Sequence, residues 1–179
     1  MNYASAIFAY NFVMPSIALV TGAAHRLGKA FAMSLARQGY ALLLHYHSAE
    51  SEAFRTADEI RALGARVHLA QADLTQPNGL QSLIATLDSV IADFRSSTFD
   101  LLVNSAAVMP VGRPHDLSLE GWDSALDLNL RAPFFIAQEA AKRMTESGLI
   151  VNVTDVGAQK AWSRYASYTV SKAALESPQ

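Results

Sequence analysis

Strand-like runs that are apolar at every position, alternating with stretches of helical period, constrain this chain more than any other feature. Ile17-Ala-Leu-Val20 and Ala41-Leu-Leu-Leu44 carry no polar alternation. A strand of that kind must be covered on both faces, which calls for a parallel sheet with helices on each side. Strands are expected at Ser16–Val20, Ala41–Tyr46, Arg66–Ala72, Leu101–Asn104 and Leu149–Val153. Between them the spacing predicts helices over Leu27–Gln38, Ala49–Leu63 and Asn78–Phe94, the first two stopped by Gly39 and Gly64. Ser118 is placed to cap a long helical stretch through Met144, in which Pro133 forces a local bend. A last helix begins near Tyr165. The expected class is α/β, a doubly wound parallel sheet.

A length of 179 residues suits one domain with a substantial core. The net charge of −2, with no run of Lys or Arg, excludes an electrostatic nucleic-acid binder. The absence of cysteine excludes disulfides and thiolate metal sites and is compatible with the cytoplasm. Met1 to Val13 is apolar and aromatic, but it is too short and too broken to span a membrane and has no basic n-region. Residues 1–14 are therefore expected to be an N-terminal extension, with Met14 a natural start; a surface-packed arm is the alternative. Residues 15–179 form the expected domain.

The first strand runs into Thr21-Gly-Ala-Ala-His-Arg-Leu-Gly28 and then into a helix. A helix N-terminus offers unpaired N–H groups and partial positive charge, and glycine lets a phosphate approach closely. Gly22 and Gly28 are thus candidates for a dinucleotide turn, although two glycines between strand and helix are also common structural punctuation. Arg26 adds a guanidinium that can pair with a phosphate. The second strand is followed by His45-Tyr46-His47-Ser48, with no carboxylate to bind ribose hydroxyls. An acid there would repel a 2′-phosphate, so NADPH is favoured over NADH. The alternative for His45 and His47 is a strand edge with two exposed imidazoles. No third ligand stands at useful spacing for a metal.

Tyr168 and Lys172 lie four apart and share a helix face. A nearby ammonium is expected to lower the tyrosine pKa, so that the phenol can exchange a proton at a carbonyl or imine. The spacing alone is equally compatible with a solvated pair. Asp155, thirteen residues before the tyrosine, opposes Lys172 when ionised. Kept protonated by burial it could donate or relay a proton. The alternative is a degenerate site.

Taken together, these motifs resemble the short-chain dehydrogenase/reductase family, over roughly Pro15 to Glu176. That resemblance implies a Rossmann-like fold and an NADPH-dependent oxidoreductase acting on a small-molecule substrate. It places Leu27 with the glycine turn, Asp73 and Leu74 against the adenine ring, and Asn104, Ser105 and Ala106 where the family has Asn-Asn-Ala-Gly. It makes Tyr168 and Lys172 catalytic and ribose-binding. Asn129 would help to hold a water that relays protons to the lysine. Arg26, His45-Tyr46-His47 and Asp155, which replaces the family's serine, resemble the pteridine-reductase branch and imply reduction of a pterin or dihydrofolate-like C=N bond. Met109 departs from the phenylalanine of that branch. A ketone or acyl carbonyl is the alternative substrate, and an inactive dinucleotide-binding fragment is a third reading. The chain is similar to the first two-thirds of a complete member, without its last strands and substrate-covering loop; complete members form homodimers or homotetramers.

Overall fold

The computed structural model describes residues 16–94, 99–160 and 162–177. The expected N-terminal extension lies outside them. Five parallel strands, β1 (Ile17–Val20), β2 (Ala41–Tyr46), β3 (Val67–Gln71), β4 (Phe99–Asn104) and β5 (Met144–Asn152), form one sheet in the order β3-β2-β1-β4-β5. The order reverses at β1, so a crevice opens at the C-terminal ends of β1 and β4, where ligands bind in doubly wound sheets.

The all-apolar strands sort by alternate residues onto two faces, as a period of two requires. Ile17, Leu19, Leu43 and Leu102 enter one core with Leu83, Leu87 and Val90 of α3 (Pro77–Asp93). Ala18, Val20, Leu42 and Leu44 enter the other with Ala32 and Leu35 of α1 (Arg26–Arg37) and Ile60 of α2 (Glu50–Ala62). Both α1 and α2 end before a glycine in the left-handed region, Gly39 at φ 89° and Gly64 at φ 84°, the conformation in which a side chain is strained.

The stretch from Ser118 departs from expectation at its far end. Ser118 does cap α4 (Leu119–Leu126), accepting from the Gly121 N–H at 3.0 Å. Pro133 lacks the N–H that a regular helix needs. Ahead of it the chain widens into one π-helical turn, Asp127–Arg131, closed by the Ala132 N–H on the Asp127 carbonyl, and continues as α5 (Ala132–Ala141). Met144, expected to be helical, instead pairs with Phe99 as the first residue of β5. Sheet pairing overrode its helical propensity. The last helix, α6, covers Ala166–Glu176.

Candidate active site

The glycine turn is built around two close approaches. A Cβ on Gly28 would stand 2.2 Å from the Gly22 carbonyl oxygen, and one on Gly22 would stand 2.8 Å from Ala106 Cα. Gly22 adopts φ 65°, and Arg26, which starts α1, adopts φ 52°. Arg26 thus keeps a backbone conformation suited to glycine, at a strain of ~1–2 kcal/mol. Such strain marks places where the backbone is over-determined by its surroundings.

Three further contacts tie this turn to neighbouring strand ends. Thr21 Oγ1 accepts from the N–H groups of Ser105 and Ala106, at 3.0 and 3.1 Å. The Gly22 N–H donates to His45 Nδ1 at 3.2 Å. His45 Nε2 lies 3.0 Å from the Ala72 carbonyl, which can only accept. His45 is therefore buried and internally bonded, not an exposed imidazole at a strand edge, and burial lowers its pKa to about 4. Past β3, Asp73 Oδ1 accepts from the backbone and hydroxyl of Thr75, which hold its carboxyl below the usual range.

These loops border a cleft of about 390 Å³, lined among others by Gly22, His25, His45, Tyr46, His47, Ser48, Asp73, Leu74, Ala106 and Val108. Leu27 is about half exposed on α1, beside the turn. Asn104 does not line the cleft; its amide donates to Asn152 Oδ1 at 2.9 Å and to the Pro133 carbonyl at 3.4 Å, joining β4 to β5. His25, at the N-cap of α1, makes no side-chain cap, and no acid occupies the first helical turn. The first-turn N–H groups are thus left for an anion, a fit to a dinucleotide pyrophosphate.

Tyr168, Lys172, Asn129 and Asp155 come together beyond the C-terminal ends of β4 and β5. Asn129 lies in the π-helical turn with no exposed surface. Its Oδ1 accepts from the Val108 N–H at 2.9 Å, and its Nδ2 donates to the Val108 carbonyl at 2.8 Å and to Ser171 Oγ at 3.0 Å. Ser171 Oγ donates to the Tyr168 carbonyl at 2.7 Å. The Asn129 side chain therefore spends its hydrogen bonds on protein partners; a relay water would have to meet its main chain.

Lys172 Nζ donates to the Val153 carbonyl at 2.7 Å. Burial lowers its pKa, and Asp155 partly offsets that. Tyr168 is shifted opposite to expectation: its pKa is pushed up to about 12, first by burial, then by the charge of Asp155 and a hydrogen bond to it. With Lys172 turned to Val153, burial and Asp155 prevail. Asp155 also caps the short 3₁₀ turn Val156–Gln159, accepting from the Gly157 N–H at 2.7 Å.

Sequence reasoning passed over Thr21 and Ser171 as site residues. Thr21 stood inside the quoted turn, and Ser171 stands immediately before Lys172, but no spacing rule gives either a partner. Their roles depend on contacts 84 and 42 residues away.

Residues 22–178 match a family model described as Enoyl-(Acyl carrier protein) reductase. The chain is 32% identical over 164 residues to the short-chain dehydrogenase/reductase FrzI of Cladobotryum sp, covering 92% of this chain and 62% of that protein. It is 34% identical over 161 residues to the hydroxynaphthalene reductase-like protein Arp2 of Metarhizium brunneum, covering 89% of this chain and 58% of Arp2. It thus spans about three-fifths of the length of these curated relatives. Among solved structures, the angucycline C-6 ketoreductase LanV with bound NADP superposes with a TM-score of 0.87 at 33% identity, covering 91% of this chain and 64% of LanV. Among the described residues, no helix is long and apolar enough to cross a membrane.

Proposed function

The chain belongs to the short-chain dehydrogenase/reductase family, and on that basis we propose that it is the cofactor-binding and proton-donating part of an NADPH-dependent ketoreductase. The observation that carries this reading is the gathering of Tyr168, Asp155, Lys172 and Asn129, with Asp155 acting on both the phenol and the ammonium and Asn129 tied through Ser171 to the Tyr168 carbonyl. A protonated phenol is the form needed to give a proton to a carbonyl oxygen during reduction.

In this reading the cofactor supplies hydride when bound. Gly22, Gly28 and the open first turn of α1 would hold its pyrophosphate, and His47 and Ser48, which line the cleft, together with Arg26 would hold its 2′-phosphate. Asp73, Leu74, Ser105 and Ala106 border its adenosine half. Tyr168 would donate the proton, and Lys172, held at the Val153 carbonyl at 2.7 Å, would offer its remaining N–H donors to the nicotinamide ribose. Asn129 holds the Val108 loop and α6 in register, while Asn104 acts indirectly by bracing β4 on β5. LanV, by its name a C-6 ketoreductase, supports a ring ketone as the substrate class.

A second reading, reduction of a pterin or dihydrofolate-like C=N bond, is favoured by one observation. Asp155 stands beside Tyr168, where a carboxyl can hydrogen-bond an amino-substituted heterocycle or relay a proton to a ring nitrogen. Consumption of NADPH with a bicyclic aromatic ketone or with dihydrobiopterin, for wild type and Asp155→Ser, separates the two. Under the ketone reading, turnover is retained or raised by the substitution. Under the pterin reading it is abolished. A chain that binds NADPH and turns over neither substrate is the dinucleotide-binding fragment.

For assembly we favour a homodimer or homotetramer. Phe134 and Phe135 lie half exposed on α5, in edge-to-face contact, and an apolar recess of about 570 Å³ runs between α3 and α5. A second copy would cover this face.

A further inference from the structure

His45 is nearly inaccessible and is held from both ends. Its Nδ1 accepts from the Gly22 N–H, and its Nε2 faces the Ala72 carbonyl. A carbonyl cannot donate and a peptide N–H cannot accept, so these partners permit one form of the ring: neutral, with the proton on Nε2. The main chain of the same residue reinforces the link, since the His45 carbonyl accepts from the Ala23 N–H at 2.9 Å. Gly22 belongs to the turn after β1, whereas Ala72 immediately precedes Asp73 and Leu74. One side chain thereby joins the two loops that border the cleft.

We propose that His45 is the positioning residue of the dinucleotide cleft, a neutral Nε2–H imidazole that sets the spacing between the Gly22 turn and the Asp73 loop. The inference rests on the reading of that cleft as the NADP site. His45 acts through Gly22 and Ala72 and not by touching the pyrophosphate, because both ring nitrogens are already engaged.

A second proton would place a donor on Nδ1 against the Gly22 N–H, and the link would open. The groups facing the ring are few. The loop after β3 contributes Asp73, whose charge favours an imidazolium, and β2 leads into His47, which opposes it. The turn from Thr21 to Ala24 contributes no charge. Burial outweighs both neighbours and keeps the ring neutral.

The test uses the 179-residue chain, imidazole ¹⁵N spectroscopy and titration with NADP⁺. In wild type His45 should show a protonated Nε2 and a bare Nδ1, unchanged from about pH 8 to about pH 5. His45→Leu leaves the Gly22 N–H and the Ala72 carbonyl unpaired and should weaken NADP⁺ binding roughly tenfold or more. His45→Asn can still accept from the Gly22 N–H at the Nδ1 position but is too short to reach the Ala72 carbonyl, and should weaken NADP⁺ binding less than His45→Leu. A His45 ring that carries its proton on Nδ1, or titrates near the ordinary histidine value, overturns the proposal whether or not the variants fold. So does His45→Leu binding NADP⁺ as tightly as wild type. If wild type itself binds no NADP⁺, the cofactor reading fails and the inference built on it falls too, even though the spectrum can still show the His45 link.

Discussion

Asn129 and Ser171, 42 residues apart, meet through a hydrogen bond of 3.0 Å that locks the π-helical turn to the helix bearing Tyr168. Ser171 passes the connection on to the Tyr168 carbonyl, and Asn129 passes it to both main-chain groups of Val108. Ser171→Ala removes two buried hydrogen bonds and should cost ~1–3 kcal/mol of stability. It should also lower kcat by roughly tenfold with KM for NADPH unchanged, because only the placement of the phenol relaxes. Denaturant unfolding and steady-state kinetics on the same preparations check both parts.

The raised pKa of Tyr168 owes its second-largest contribution to Asp155. Reduction needs the protonated phenol, so activity falls where the phenol ionises. Removing the carboxylate in Asp155→Asn lowers the Tyr168 pKa from about 12, and the alkaline limb of the pH profile should move to lower pH. Difference absorbance of tyrosinate gives the same midpoint without turnover. An unmoved limb would mean that burial alone sets the phenol.

Arg26→Gly relieves a left-handed φ of 52°. The strain removed, ~1–2 kcal/mol, is about half offset by ~0.4–1 kcal/mol of added unfolded-state entropy. Thermal stability should therefore rise slightly, while the preference for NADPH over NADH falls by roughly tenfold as a charge-assisted phosphate contact is lost. Parallel titrations with the two cofactors decide it.

Gly79, in the first turn of α3, lies so close to Asp73 that a Cβ would stand 1.9 Å from its carbonyl oxygen. Gly79→Ala must push the helix or the loop aside. The expected cost is ~1–3 kcal/mol, with weaker cofactor binding from a displaced Asp73. A calorimetric melt and a binding titration read the two effects.

His45 also makes stability depend on pH. Its folded pKa of about 4 lies below the unfolded value of 6.5, so between them the unfolded chain binds more protons. Its contribution is complete above about pH 6.5 and is lost as pH falls towards 4, the loss amounting to roughly 3 kcal/mol by the acid end. Unfolding free energies across this window should slope upward with pH in wild type, and less steeply in His45→Asn.

The strands were legible because an all-apolar run such as Ala41-Leu-Leu-Leu44 has few places to go except a sheet covered on both sides. The helix of Asn78–Phe94 was legible from its period, and the turn from Gly22 and Gly28 standing between an apolar strand and a helix; the close approaches that require those glycines appear only in the fold. Met144 was not, because its strand pairing with Phe99 is a long-range choice that local propensity cannot express.

By itself the sequence determined which residues could carry chemistry: a phenol and an ammonium four apart, a carboxyl ahead of them, and a glycine turn bearing an arginine. Local spacing is enough for that, since one helical turn or one strand-to-helix junction sets those neighbours. The tertiary structure decided how each group is tuned. It turned Lys172 to the Val153 carbonyl and set Asp155 against Tyr168, so the phenol rose where spacing alone suggested a fall. It also buried His45 between Gly22 and Ala72. Burial and hydrogen bonds between residues distant in the chain govern these shifts, and both exist only once the strands have brought their ends together.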